Sequence, residues 1–193
     1  CVRFITNKSS GKMGLALAKQ ASYLGASVHL ISTFEVCNPQ FQVTQVHTAL
    51  QMQNAVLEFF PKADIIIMAA AVSDFRCQNP SEQKIKKNSS DLTLNLVRNP
   101  DILTQISNEK LEKQIVVGFC AESQNLIDNA KDKIKAKNCD FIVANDISNK
   151  NIGFNSNNNE VFIVDNKLNV QKIELNTKDK IAYEILKYVS KNN

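Results

Sequence analysis

Five segments of this 193-residue chain carry residue types that could do chemistry. The first is Asn7-Lys8-Ser9-Ser10-Gly11-Lys12-Met13-Gly14, which runs into a stretch with helical spacing. Free backbone N–H groups at a helix start, two hydroxyls, a lysine and permissive glycines can cradle a phosphate. Ser9 or Ser10 could equally cap the helix, with the glycines present for close packing. The segment is not a Walker A loop, because Met13 follows Gly11-Lys12 and the required upstream glycine is missing, nor is it G-x-G-x-x-G. The second segment is Met68-Ala69-Ala70-Ala71-Val72-Ser73-Asp74-Phe75, after an apolar run. Its three alanines leave the backbone open to a flat base or ribose, with Asp74 able to accept hydrogen bonds. A small-residue strand packed under a helix, ended by a turn aspartate, would look the same.

The third segment, Lys84-Ile85-Lys86-Lys87, puts three ammonium groups in a polar stretch. They could close over a triphosphate and screen charge in a transition state, or simply be solvated. The fourth, Asn99-Pro100-Asp101-Ile102-Leu103, reads as a helix start with Asn99 at the N-cap and Pro100 at the first helical position. The fifth pairs Lys133 with Lys137, four residues apart and so on one helical face. Phe119, at the end of an apolar run, reads by default as core.

The elements that must position these residues alternate between strand and helix. Helical spacing covers Ser10 to Leu24 and stops at Gly25, and strands are expected at 28–32 and 43–46. A helix from about Ala49 to Phe60 is closed by Pro61. Residues 64–68 form an apolar run of the kind expected in a strand buried on both faces of a parallel sheet. Further strands are expected at 92–97, 114–119 and 140–144, with helices from Pro100 and over 125–137. The Asn-rich segment 149–159 reads as a loop. A hairpin around Asn166-Lys167 joins 161–164 to 170–175, and a helix over 178–191 closes the chain. This order predicts a three-layer, Rossmann-like α/β fold with a mainly parallel sheet and a C-terminal β-hairpin. Such sheets bind ligands beyond the carboxyl ends of their strands.

Composition excludes several classes. Hydrophobic residues at 44% and charged residues at 22% suit a globular domain. No apolar run approaches the roughly 20 residues that cross a bilayer, so no membrane role is expected. A net charge of +4 is too mild for nucleic-acid binding but compatible with a small polyanion. Five scattered cysteines without a C-x-x-C pair, and the isolated His29 and His47, argue against a disulfide framework or a protein metal site. This usage fits a reducing, cytoplasmic setting. The opening Cys1-Val2-Arg3-Phe4 has neither an initiator Met nor a secretory signal, and reads as part of a longer chain.

Taken in order, the segments resemble the bacterial phosphopantothenate–cysteine ligase family. The likeness rests on residues 2–7 leading into Ser9-Ser10-Gly11-Lys12-Met13-Gly14, Ala69 to Arg76, Lys84 to Lys87, and Asn99 to Leu103. It continues through Val117-Gly118-Phe119-Cys120-Ala121-Glu122 and Val143-Ala144-Asn145-Asp146 to Gly153-Phe154-Asn155-Ser156, so residues 1–193 read as one such domain. The resemblance implies a ligase joining 4′-phosphopantothenate to L-cysteine with CTP and Mg2+, through an acyl cytidylate. It implies a nucleotide site of the Met68 backbone, Asp74, Lys84, Pro100, Asp101, Ile102, Leu103, Phe119, Lys133 and Lys137. Asn7 would donate its amide to the acyl carbonyl as cysteine attacks, and Lys84 would hold phosphate charge. A homodimer is implied, as is fusion to or association with a flavin-dependent decarboxylase half. Family members carry a strand and glycine-rich turn before the segment matched by residues 2–7; neither is in this sequence.

Two other classes compete. An NAD(P)-dependent oxidoreductase is suggested by Tyr183 and Lys187 in a Y-x-x-x-K pattern and by Glu35 after the second strand position. The glycine-rich dinucleotide turn is absent, however, and Val170 stands where such enzymes usually offer serine. A non-catalytic interaction domain leaves the ordered motifs without a purpose.

Overall fold

The computed structural model describes residues 5–81, 83, 92–146 and 156–192. Its elements run α1 (Lys12–Tyr23), β1 (His29–Ser32), β2 (Gln42–Gln45), α2 (Ala49–Phe59), a 3₁₀ turn (Phe60–Lys62), β3 (Ile65–Met68), β4 (Phe75–Cys77) and β5 (Leu96–Arg98). They continue with α3 (Ile102–Glu109), β6 (Ile115–Glu122), α4 (Leu126–Lys137), β7 (Phe141–Asp146), β8 (Asn158–Asp165), β9 (Val170–Thr177) and α5 (Lys178–Lys191). Local chemistry explains several boundaries. Gly25, at φ 88°, ends α1 by letting Ala26 N–H return to the Ala21 carbonyl at 3.0 Å. The Thr48 hydroxyl caps α2 through Gln51 N–H at 3.1 Å, and Thr177 caps α5 through Lys180 N–H. Pro61 turns the end of α2 into the 3₁₀ turn.

Five strands form the main sheet in the order β3-β6-β7-β8-β9. β3, β6 and β7 are parallel, and β8 and β9 are added antiparallel as the C-terminal hairpin. One face is covered by α2, α3 and α4, whose Met52, Val56, Ile106 and Ile134 pack with Val116 and Ile142 of the sheet. α1 and α5 cover the other face, where Leu17, Ile181 and Ile185 meet Val117, Val143 and Val161. These are the three layers expected. β6 has helices on both faces, so its apolar run is continuous rather than alternating.

Several expectations need correction. β3 is not buried on both faces: Ile65 is 40% exposed, because among the described residues β3 pairs with β6 alone. β1 and β2 form a separate parallel pair, although α1 and α2 pack across toward both sheets. Residues 92–95 are not strand; a short antiparallel ribbon of β4 with β5 stands in their place. Asn158 and Asn159 belong to β8 rather than to a loop, while residues 149–155 lie outside the described set.

Gln114, 3% exposed, ties the entry to the sheet. Its Nε2 donates to the carbonyls of Phe60 (2.8 Å) and Ala63 (2.7 Å), and its Oε1 accepts from Leu111 N–H at 2.9 Å. Gln114→Ala strips the Ala63 carbonyl and the Leu111 N–H of their partner, leaves the Phe60 carbonyl only the Ala63 N–H, and is expected to destabilise the chain by about 2–3 kcal/mol in denaturant titrations. An unchanged midpoint would remove this residue from the framework.

Candidate functional site

β3, β6 and β7 run parallel, so their carboxyl ends open on one side, and the site is built there. The β3–β6 register sets Met68 opposite Gly118, which places Phe119 at the next step of β6. Beyond Met68 the chain leaves the sheet through Ala69 to Asp74, and two asparagine side chains hold this exit. Asn7 Nδ2 donates to the carbonyls of Ala71 (3.4 Å) and Val72 (3.3 Å). Asn99 Nδ2 donates to the Ser73 carbonyl (2.8 Å), and Asn99 N–H donates to the Asp74 carbonyl (2.8 Å). Three successive carbonyls are thereby engaged by side-chain amides from distant parts of the chain, and the exposed Asp74 side chain is presented at the rim.

This geometry changes two sequence readings. Asn99 is not the cap of α3: Asp101 is, with its carboxylate accepting from Thr104 N–H at 3.0 Å. Pro100 disfavours helical geometry at Asn99, which frees that side chain to reach across to Ser73. Asn7 directs its amide donor at backbone carbonyls, so that donor is engaged already. Turning the amide over would set Oδ1 against two other oxygens, so the network fixes its orientation. Oδ1 remains as the atom Asn7 can offer a ligand.

The start of α3 places Pro100, Asp101, Ile102 and Leu103 beside β6. Ile102 is buried, Leu103 is half-buried against the same core, and Gly118 is close enough to Leu103 that a side chain there would collide with it. Lys137, near the end of α4, forms an ion pair with Asp101. Burial pushes the Asp101 carboxyl up, but the hydrogen bonds from Lys137 and Thr104 and the Lys137 charge outweigh it, so the group sits below its ordinary value. Lys133, one turn earlier, is half-buried, and its charge acts on Cys120. Burial nevertheless pushes the Cys120 thiol up to about 11, against the pull of Lys133, and the Cys139 thiol up to about 12. Neither is a thiolate nucleophile near neutral pH.

The Ser9–Gly14 segment starts α1. Neither Ser9 nor Ser10 caps it; the N-cap is Gly11, at φ 65°, with no side-chain cap and no acidic residue in the first turn. The first-turn N–H groups of Lys12, Met13 and Gly14 lack an intrahelical partner and give this end a partial positive charge. Phe34 lies so close over Gly11 that its Cδ2 would be 2.6 Å from an added Cβ, so both the turn and the ring require glycine. Lys12 Nζ donates to Asn157 Oδ1 at 2.8 Å. Lys178, at the start of α5, is 6% exposed, and burial together with the charge of Lys12 pushes its pKa down. Two cationic side chains therefore stand near each other at this end of the sheet.

Among the residues expected at the site, Asn7, Asp74, the 100–103 segment and Lys137 gather around the Met68 end of β3, while Phe119 packs against the α1 and α5 face of the same sheet. Lys84 lies outside the described residues. Phe34 and Lys178 carry no signal of their own in the chain, because tertiary approach sets their positions. Gly118 did leave one, since a glycine inside a strand marks close backbone approach. Among the described residues no group of three or more His, Cys, Asp or Glu side chains could cage a metal ion, and no helix is long and apolar enough to cross a membrane.

Asp101→Asn retains a capping oxygen but removes the charge facing Lys137. Because the Asp101 pKa is depressed on folding, its contribution is present above the ordinary carboxylate value of 3.8 and is lost as pH falls through the folded value. The stability gap between wild type and Asp101→Asn is expected to narrow as pH drops from about 5 to about 3 in thermal melts. A gap independent of pH would show that the ion pair contributes nothing.

Residues 1–192 match the family described as the DNA/pantothenate metabolism flavoprotein C-terminal domain. The coenzyme A biosynthesis bifunctional protein CoaBC of Borreliella burgdorferi is 43% identical over 190 residues, which is 96% of this chain and 47% of that protein. A protein named cysteine/cysteine sulfinic acid decarboxylase, from an unknown prokaryotic organism, is 39% identical over 97% of this chain and 53% of its own length. The chain thus spans about half the length of the curated relatives it matches. The crystal structure of the C-terminal domain of a CoaBC protein superposes with a TM-score of 0.81 at 35% identity, covering 98% of this chain and 86% of that one. With its fold and its motif-bearing strand ends both in agreement, the chain belongs to the DNA/pantothenate metabolism flavoprotein C-terminal domain family.

Proposed function

We propose that this domain joins 4′-phosphopantothenate to L-cysteine at the expense of CTP, as a phosphopantothenate–cysteine ligase in coenzyme A biosynthesis. The observation that carries the reading is the convergence of Asn7, the Ser73-Asp74 exit, the start of α3 and Lys137 around the ends of β3 and β6. A carboxylate is a poor acyl donor to an amine, so it must first be activated. Its oxygen attacks the α-phosphorus of CTP, the bond to the bridging oxygen breaks, and pyrophosphate leaves. The cysteine amine then attacks the acyl carbon of the cytidylate, CMP departs with the bonding electrons, and the amine loses a proton.

The residues have distinct tasks in this scheme. The open backbone at Met68 and the ring of Phe119 form the floor for the nucleoside, with Asp74 at its rim. Lys133 and Lys137 face the triphosphate, which competes with Asp101 for Lys137, and Lys84 is assigned the task of holding phosphate charge. The 4′-phosphate suits the uncapped start of α1, with Lys12 and Lys178 nearby. Asn7 acts through Oδ1, accepting a hydrogen bond from the attacking cysteine amine and orienting it toward the acyl carbon. Magnesium, when bound, would neutralise phosphate charge. An ion carried mainly by phosphates and water needs few protein ligands, in keeping with the scattered carboxylates here.

The strand and glycine-rich turn expected before residues 2–7 are assigned to the edge of β3 away from β6, where no strand pairs with it among the described residues, and would there complete the sheet and the acid-substrate pocket. A flavin-dependent decarboxylase half, fused or associated, and a cytoplasmic setting belong to the same proposal. So does a homodimer: Phe75 (43% exposed), Leu94 (49%) and Leu96 (47%) crowd the β4–β5 ribbon, and a two-stranded ribbon is marginal by itself. Sedimentation at micromolar concentration is expected to give a dimer; a monomer would remove the second subunit from the account.

The ligase reading is tested by pyrophosphate release from the chain extended by that preceding segment. Release should need CTP and phosphopantothenate but not cysteine, and ATP should not substitute. Asn7→Asp sets a carboxylate oxygen against the Ala71 and Val72 carbonyls and pushes the acceptor out of place, so amide formation should slow by about 100-fold, the scale of losing one positioned polar group, while pyrophosphate release is spared. Release that proceeds equally with ATP would refute cytidine selection. Equal loss of both steps in Asn7→Asp would remove Asn7 from the second one.

A further inference from the structure

Gly118 occupies a crowded point of the main sheet. It is buried in β6, paired in register with Met68 on one side and Ile142 on the other, and it directly precedes Phe119. A Cβ at this position would stand 2.7 Å from Leu103 Cδ2 and 2.8 Å from Ile142 Cδ1. Both approaches are shorter than side-chain contacts allow, so something would have to move. The two neighbours are not equivalent. Ile142 sits on β7, in the middle of the buried sheet, whereas Leu103 is the second residue of α3 and lies next to the Asp101 cap. α3 is a helix of 8 residues, and its Leu103 is only half-buried against the core whereas Ile142 is fully buried, so Leu103 is the neighbour able to yield.

We infer that Gly118 is a positioning residue for the nucleotide site, resting on the ligase reading above: its missing side chain lets Leu103 lie against β6 and thereby sets how close the start of α3 stands to Met68 and Phe119. The glycine itself need not touch the nucleotide. It sets the width of the crevice between the floor of the sheet and the Pro100–Leu103 segment, and with it the place of Asp101 and its partner Lys137. A shift well under the length of a bond at Leu103 would be passed to the helix cap, because the Asp101 carboxylate is fastened to Thr104 N–H in the same turn.

The test uses Gly118→Ala in the chain extended by the segment assigned above to the edge of β3, alone and combined with Leu103→Val or with Ile142→Val. Each second substitution removes the δ-methyl carbons that the new Cβ would meet, one on α3 and one on β7, and Leu103→Val and Ile142→Val alone serve as controls. Amide exchange without nucleotide reads the first turn of α3, and calorimetric titration with CTP and, separately, with phosphopantothenate reads the two sites. In Gly118→Ala, the Thr104 and Gln105 amides should lose protection, and CTP binding should weaken by about tenfold, while phosphopantothenate binding is unchanged. Measured against Leu103→Val alone, adding Gly118→Ala should cost neither exchange protection nor CTP binding, whereas measured against Ile142→Val alone it should still cost both. Unchanged exchange at α3, equal weakening for both ligands, or rescue by Ile142→Val as complete as by Leu103→Val would each overturn the inference. A wild-type chain that binds no CTP would instead overturn the ligase reading and the nucleotide half of this inference; the exchange result would still decide whether Gly118 places α3.

Discussion

The site depends on the parallel pairing of β6 with β3 on one side and β7 on the other. This pairing puts three carboxyl strand ends at one rim and sets the register in which Met68, Gly118 and Ile142 lie abreast. Everything catalytic in the proposed scheme hangs from that rim. Helices on both faces hold the strands, and the Val116 N–H at the opposite end is fastened by the Asp140 carboxylate at 2.7 Å, with Lys110 as its counter-ion. The rim can therefore be irregular without loosening the sheet, and irregular backbone is what a ligand site requires.

Two asparagines convert that irregular backbone into a defined surface. Asn7 and Asn99 arrive from segments far apart in sequence, and between them they engage the Ala71, Val72 and Ser73 carbonyls. An amide can donate to a carbonyl with one end while its oxygen remains available, which a lysine or a carboxylate cannot do. In the proposed scheme this property lets Asn7 serve as acceptor toward an incoming amine. It also explains how one neutral side chain can brace the exit of β3 and still take part in a reaction. At the same rim, Asp101 performs a comparable double task as helix cap and as counter-ion of Lys137.

The alternation of strand and helix was readable from periodicity, since each buried element keeps its apolar residues at a fixed spacing. Helix α5 and the hairpin of β8 with β9, turned at Asn166-Lys167, are examples. Burial of β3 was not readable, because it depends on which strands flank it rather than on its own residues. The site residues came from ordered motifs, but their partners did not. Asn99 looked like a helix cap because Asn before Pro so often is one, and the competing fit of Asp101 appears only when α3 is placed against β6. Asn7 looked like a donor to substrate until the carbonyls of a loop more than sixty residues away took up its amide. Spacing along the chain names candidate groups; the hydrogen-bond partners decide which atom of each remains to do chemistry.

The central claim is that a cytidine triphosphate seats on the ends of β3 and β6. Backbone amide shifts in a CTP titration followed by NMR test it most directly. The account predicts saturable shifts at Met68, Asp74, Phe119 and the first turn of α3, with ATP producing none of comparable size at the same concentration. Shifts confined to other surfaces, or the same response to both nucleotides, would contradict it.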